Sequence, residues 1–181
     1  MPKKAATLEL DSTAPAAVAG VQTMERNAEE NLQKLDPKIR REMARRVLAR
    51  RSLIEFTKRF VPNYDPGWVH YDIAQRLEQF KRDVEAKLSP RLMLLVPPRH
   101  GKSELGSIRF PGWALGHHPE WEFINCGYNL DLPMKFSRKV RQMIRDQTYK
   151  AIFERTAIDP ESQGAEAWLT TAGGGYTAAG V

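Results

Sequence analysis

The sequence predicts an α/β fold with a parallel-sheet core, and three observations carry that expectation. Leu92–Val96 is an unbroken run of apolar residues, the length and composition of a strand buried on both faces. A tight loop containing Gly101-Lys102-Ser103 follows at once and opens into a helical pattern. Strand, loop and helix follow in the order of a nucleotide-binding phosphate loop; the alternative is an ordinary strand-to-helix turn that happens to contain Gly-Lys-Ser. A second apolar stretch, Trp121–Gly127, again precedes an amphipathic helical pattern, and such alternation builds parallel sheets.

Taken in order, residues 1–27 are rich in Ala, Thr, Ser and Pro with few large apolar groups. A segment of that kind buries too little surface to offset its ordering entropy, so a disordered tail is expected. Residues 28–35 predict a short helix. Asp36-Pro37 reads as a helix start, with Asp as N-cap and Pro at the first helical position. The helix expected over 38–60 carries one narrow apolar stripe, Ile39, Met43, Val47 and Ile54, and is otherwise dense in Arg and Lys. Its basic face is either a solvated surface or a contact for DNA phosphates or an acidic protein. Val61–Trp68 is a turn-rich link. A second helix follows from about Val69 to Leu88, with Ile73, Leu77, Phe80 and Val84 inward. Tyr64, Trp68 and His70 stand at or just before its start, placed either to stack on a purine ring or simply to pack. Ser89-Pro90 ends it.

Each residue of the loop has a physical task. Gly101 lets backbone approach phosphate with no Cβ in the way. Amides from about His100 to Glu104 open a helix and offer unpaired donors to an anion. Lys102 places an ammonium near the β- and γ-phosphates, and Ser103 offers a hydroxyl to Mg²⁺. Arg99 either stabilises transition-state charge or shapes the loop. The pattern departs from the standard one: Val96 stands where a glycine is usual, and Pro97 and Pro98 carry no N–H.

Beyond Ser103 the helix runs through Leu105 and Ile108, and Pro111-Gly112 kinks or ends it. Trp113–Leu115 are expected to be buried. His117 and His118 lack further ligands nearby and read as surface loop, not as a metal site. Cys126, within the strand Trp121–Gly127, reads as a buried inert thiol. Asn129 or Asp131 caps the next helix, whose apolar face is Leu132, Phe136, Val140, Met143 and Ile144. Its other face carries Lys135, Arg138, Lys139, Arg141 and Arg145. A loop around Asp159-Pro160, a strand Ala167–Thr171, a turn at Gly173–Gly175 and a strand Tyr176–Val181 complete the chain.

The balance of 28 Lys and Arg against 22 Asp and Glu gives a formal charge of +6, which favours polyanionic partners. One cysteine excludes an intramolecular disulfide and fits a reducing cytosol. No apolar run approaches the ~18 residues of a membrane span. The opening residues lack the apolar core and cleavage pattern of a signal peptide.

Read together, these pieces resemble the N-terminal ATPase region of the large terminase subunit of tailed bacteriophages. Trp68 and His70 precede a helix and the strand RLMLLV. PPRHGKSE is similar to that family's deviant Walker A loop. Trp113-Ala-Leu-Gly leads to Pro119, CGYNLDLPMKFSRKVRQMI looks like the family's second strand and helix, and AWLTTAGGGYTAAGV looks like the segment before Walker B. The resemblance covers residues 50–181. It implies an additional-strand, RecA-like P-loop NTPase core, with 28–90 as a helical subregion and 91–181 as the Walker A half of the ATPase domain. It also implies ATP and Mg²⁺ as cofactors. Lys102 and Arg99 would be catalytic, and Ser103 would hold the metal. His100, Gly101, Lys102, Ser103, Glu104, Trp68 and His70 would contact nucleotide. The parent would package double-stranded DNA into procapsids and cut it, in the cytoplasm of a bacterial host. Its partners would be the small terminase subunit, the portal protein and further copies of itself in a ring. The family's Walker B carboxylates, coupling motif and RNase H-like nuclease domain have no counterpart in these residues, so the expectation is a truncated chain with little or no ATP hydrolysis. A P-loop small-molecule kinase and a non-catalytic DNA-binding remnant are the alternatives.

Overall fold

A computed structural model describes residues 26, 30–31 and 33–180. Residues 1–25 and 27 of the expected tail lie outside the described residues, as do 28–29 and 32 of the expected short helix. The chain divides into two units, Met1–Met43 and Ala44–Val181. In the first, Asp36 caps the start of helix α1 (Pro37–Arg51): its Oδ1 accepts the Lys38 N–H at 2.7 Å. The apolar stripe expected along this helix does not form a buried face. Ile39 and Met43 are exposed, as is Val47 in the second unit, where Ala49 is the buried residue of α1.

In the second unit the helix expected to run unbroken to Phe60 is interrupted at Ser52. This residue adopts extended backbone, its Oγ accepts the Glu55 N–H, and α2 (Leu53–Phe60) starts afresh, as a serine N-cap dictates. The new axis buries Leu53, Ile54 and Phe56 with Ile73, Ala74 and Leu77 of α3 (Trp68–Glu85). The Leu53 amide donates to Glu78 Oε1 at 2.7 Å across the pair. A π-helical stretch, Glu104–Arg109, runs straight into α4 (Phe110–His117). Pro111 does not end the helix; it stands where the π-helical stretch gives way to α4. Trp113 closes the core over α1, its Nε1–H shared between the Ala49 and Arg50 carbonyls at 3.1 Å each.

The sheet is four-stranded and mixed, in the order β1 (Glu122–Gly127), β4 (Gly175–Gly180), β3 (Ala167–Thr170), β2 (Ile158–Gln163). β1 and β4 pair in parallel; β4–β3 and β3–β2 are antiparallel. Between β1 and β2 lie α5 (Asp131–Arg145) and the short α6 (Gln147–Ile152). The β3–β4 hairpin matches the sequence expectation. Gly173 takes φ +87° in the turn, and a Cβ on Gly174 would meet the Pro119 and Trp121 carbonyl oxygens. Trp168 and Tyr176 face one another across this hairpin with rings stacked at 5.8 Å, and Trp168 Nε1–H donates to Ser137 Oγ on α5 at 3.0 Å.

Three expectations are corrected. Arg91–Val96 is extended but joins no ladder, so the first expected strand of a parallel core is absent among the described residues. Its burial alternates, with Leu92, Leu94 and Val96 half-buried and Met93 and Leu95 79% and 86% exposed. One face packs towards α3 and α4; the other has no covering layer. Asp159-Pro160 lies in a strand, not a loop. Proline is tolerated there because β2 is the sheet edge and its register is irregular. Cys126 is exposed, because the side chains of β1 alternate and it shares the exposed face with Glu122 and Ile124. No described helix is long and apolar enough to cross a membrane.

Candidate phosphate-binding loop

The candidate site forms where the start of α3 meets the turn after Val96. Gly67 is the N-cap of α3, and His70, three residues on, turns back so that its Nδ1 accepts the Gly67 N–H at 3.0 Å. Tyr64 stands edge-on to the imidazole, with ring centres 5.8 Å apart. Its hydroxyl is buried without a hydrogen-bond partner among the described residues. Burial, followed by the nearby Glu104 carboxylate, raises the phenol above the usual tyrosine range.

Pro97, Pro98, Arg99 and His100 are exposed. His100 Nδ1–H donates to the Pro98 carbonyl at 2.9 Å, which tightens the turn. Arg99 and Gly101 both adopt left-handed backbone, at φ 65° and 72°, on either side of His100. For arginine that conformation is strained. Left-handed residues in turns are one ingredient of the anion-binding concavities called nests, which are lined by successive backbone N–H groups. Lys102 and Ser103 follow in helical conformation with their side chains in solvent, and Leu105 N–H bonds back to the Gly101 carbonyl at 3.0 Å.

The sequence-predicted residues fall into three groups. Arg99, His100, Gly101, Lys102 and Ser103 are consecutive in this exposed turn. His70 joins them: a Cβ built on Gly101 would lie 3.0 Å from both its Cδ2 and its Nε2. Glu104 is adjacent, but its carboxylate is held by Arg109 at 2.7 Å to Nε and 2.6 Å in the closest ion-pair contact. Trp68, at 82% exposure, stands in solvent at the head of α3.

Arg109 is a site-supporting residue that sequence reading missed. Besides Glu104 it donates to Met143 Sδ at 3.0 Å and lies over the Phe60 ring at 5.5 Å. The five-residue step from Glu104 belongs to the wider π turn, and an α-helical scan does not pair those positions. Asn125 and Tyr176 were likewise not singled out. Asn125 Nδ2 donates to the Tyr176 hydroxyl at 2.7 Å, and that hydroxyl reaches the Ser107 carbonyl at 3.4 Å, tying the helix after the loop to the sheet. A groove of about 370 Å³ lies alongside, lined by Leu92, Leu94, Phe110, Phe123 and Cys126 among others. Loop residues 97–103 do not line it.

The molecule is thus a mixed α/β protein, helices around a four-stranded mixed sheet, with an exposed Gly-Lys-Ser turn at the head of one helix. Residues 93–179 match the family model described as terminase large subunit, T4likevirus-type, N-terminal. No curated protein and no solved structure matches the chain.

Proposed function

We propose that this chain is the nucleotide-binding part of a phage terminase motor, with an additional-strand, RecA-like P-loop core and ATP as the ligand of the turn 97–103. The observation that carries the reading is the turn itself. Two left-handed residues, then Lys102 and Ser103 in solvent at a helix start, sit inside the stretch that matches the terminase family. Phosphate would meet the amides of the turn and the Lys102 ammonium. Among the described residues no three His, Cys, Asp or Glu side chains cluster as a metal cage. Ser103 suits Mg²⁺ nonetheless, because that ion keeps much of its water and shares its remaining contacts with substrate phosphates. Bound there, Mg²⁺ would neutralise charge on the phosphate oxygens. Arg99 would add a second cation at the same anion.

In this reading the parent protein couples ATP turnover to movement of double-stranded DNA into procapsids, alongside the small terminase subunit and portal protein. Exposed Lys135, Arg138 and Lys139 on α5 offer phosphate contacts. The test is titration of the purified chain with Mg·ATP by calorimetry, with Lys102→Ala as the variant. Loss of one charge-assisted contact should weaken binding roughly tenfold to a hundredfold, with the circular dichroism spectrum unchanged. Equal affinity of parent and variant, or no binding by the parent, removes the phosphate-loop reading.

A further inference from the structure

We propose that His70 is a phosphate-binding donor of this loop: it presents Nε2–H across Gly101 to bound phosphate, replacing amides that Pro97 and Pro98 lack. The inference rests on the phosphate-loop reading and adds to it a residue from a different helix with a defined atom and tautomer.

The argument starts from the Gly67 amide, which only donates. Its bond to Nδ1 at 3.0 Å makes Nδ1 the lone-pair nitrogen, so the proton of the neutral ring is on Nε2. The same bond, in the first turn of α3, fixes the direction of the ring, and Tyr64 stands against it edge-on. The Cδ2–Nε2 edge then lies against Gly101, at 3.0 Å from where a Cβ would be. A Cβ there would press on that edge and displace it by a few tenths of an ångström. No hydrogen bond engages Nε2 among the described residues, although the residue is half-buried. A donor thus stands unused beside a turn whose two preceding residues carry no N–H.

The placement separates two tasks that His70 performs with different atoms. Nδ1 holds the start of α3, and Nε2 serves the ligand. A purine-stacking role would need a ring face, whereas here the edge is turned to the loop.

Two amide substitutions divide the tasks. In His70→Asn the side-chain oxygen takes the place of Nδ1 and the Nε2 donor is lost. In His70→Gln the side-chain NH₂ reaches the place of Nε2. Mg·ATP and inorganic pyrophosphate are titrated into the parent chain, both variants and Lys102→Ala, with thermal melting as the folding control. The expected result is a roughly tenfold or greater loss of affinity for both probes in His70→Asn, at a melting temperature near the parent's. His70→Gln should stay within about threefold of the parent, since it keeps the donor. Parent-like binding by His70→Asn, or equal loss in both variants, overturns the proposal, because His70 would then act only on α3. A loss confined to ATP, with pyrophosphate unaffected, also overturns it by moving the contact to the base. If Lys102→Ala weakens binding while His70→Asn does not, the loop reading stands and the His70 proposal falls. If Lys102→Ala binds normally, or the parent binds neither probe, both fall.

Discussion

Gly101→Ala tests the geometry of the turn without any ligand. Two costs add. A Cβ at φ +72° meets the left-handed penalty of about 1–2 kcal/mol. The same Cβ lies 3.0 Å from the His70 ring edge, so the ring must shift by a few tenths of an ångström, at about 0.5–1.5 kcal/mol if it leaves its rotamer well. Against these, alanine restricts the unfolded chain and returns about 0.5–1 kcal/mol. The net loss is about 1.5 kcal/mol, which lowers the melting temperature of a unit of this size by roughly 5 °C. The assay is thermal unfolding by circular dichroism on four proteins: parent, Gly101→Ala, His70→Ala and the double variant. With the ring removed, only the backbone share of the Gly101→Ala cost should remain, about 0.5–1 kcal/mol after the same offset. The cycle should therefore show a coupling of about 0.5–1.5 kcal/mol. A Gly101→Ala variant that melts like the parent would refute the left-handed turn. An identical cost in both backgrounds would refute the packing of His70 on Gly101.

Two further outcomes concern the core. Tyr149→Phe removes a buried bond from its hydroxyl to the Gly112 carbonyl at 2.8 Å, so urea denaturation should show a loss of about 1 kcal/mol at unchanged slope. His117 donates from Nε2 to the Arg50 carbonyl at 2.9 Å, and its ring is wedged between Trp113 and Phe153. Burial, then the Lys81 ammonium, hold it down to about 4 against an ordinary 6.5. The unfolded chain therefore binds the extra proton between those values, so this stability is full above pH 6.5 and drains away as pH falls to about 4. Because the side chain remains partly open to solvent, screening reduces the effect to about 1 kcal/mol. His117→Gln, which keeps the donor, should flatten that part of the melting-temperature profile; an unchanged slope would show that His117 is not its source.

How far the residues foretold this structure depended on whether the governing interaction was local. The β3–β4 hairpin was readable because Gly173-Gly174-Gly175 has steric causes within its own turn and its immediate neighbours. The inward face of α5 was readable at Val140, Met143 and Ile144, which are buried, and failed at Leu132, which is 52% exposed at the helix start. The exposed turn at Gly101-Lys102-Ser103 could be located because that triplet stands between an apolar run and a helical pattern. What depended on partners was misread. The apolar run 92–96 looks like a strand to any local rule, yet a strand exists only with a ladder, and the four strands that form pair among themselves. Cys126 was misplaced for a related reason, since its burial turns on whether anything covers the face of β1 that it shares with Glu122 and Ile124. The contact of His70 with Gly101 joins residues 31 apart in the chain, and no spacing rule announces it.

The outer edge of β1 has a consequence for how the chain behaves in solution. Ile124 is 71% exposed there and Cys126 is open beside it, with Met93 and Leu95 also facing solvent. An apolar strand edge is a template onto which a like edge from another copy adds, backbone to backbone. Such growth depends on concentration, whereas folding of the single chain does not. When two such edges meet, each brings a thiol, and oxidation would convert a reversible encounter into a permanent one. Dilute solution containing reductant disfavours both the edge-to-edge encounter and the cross-link.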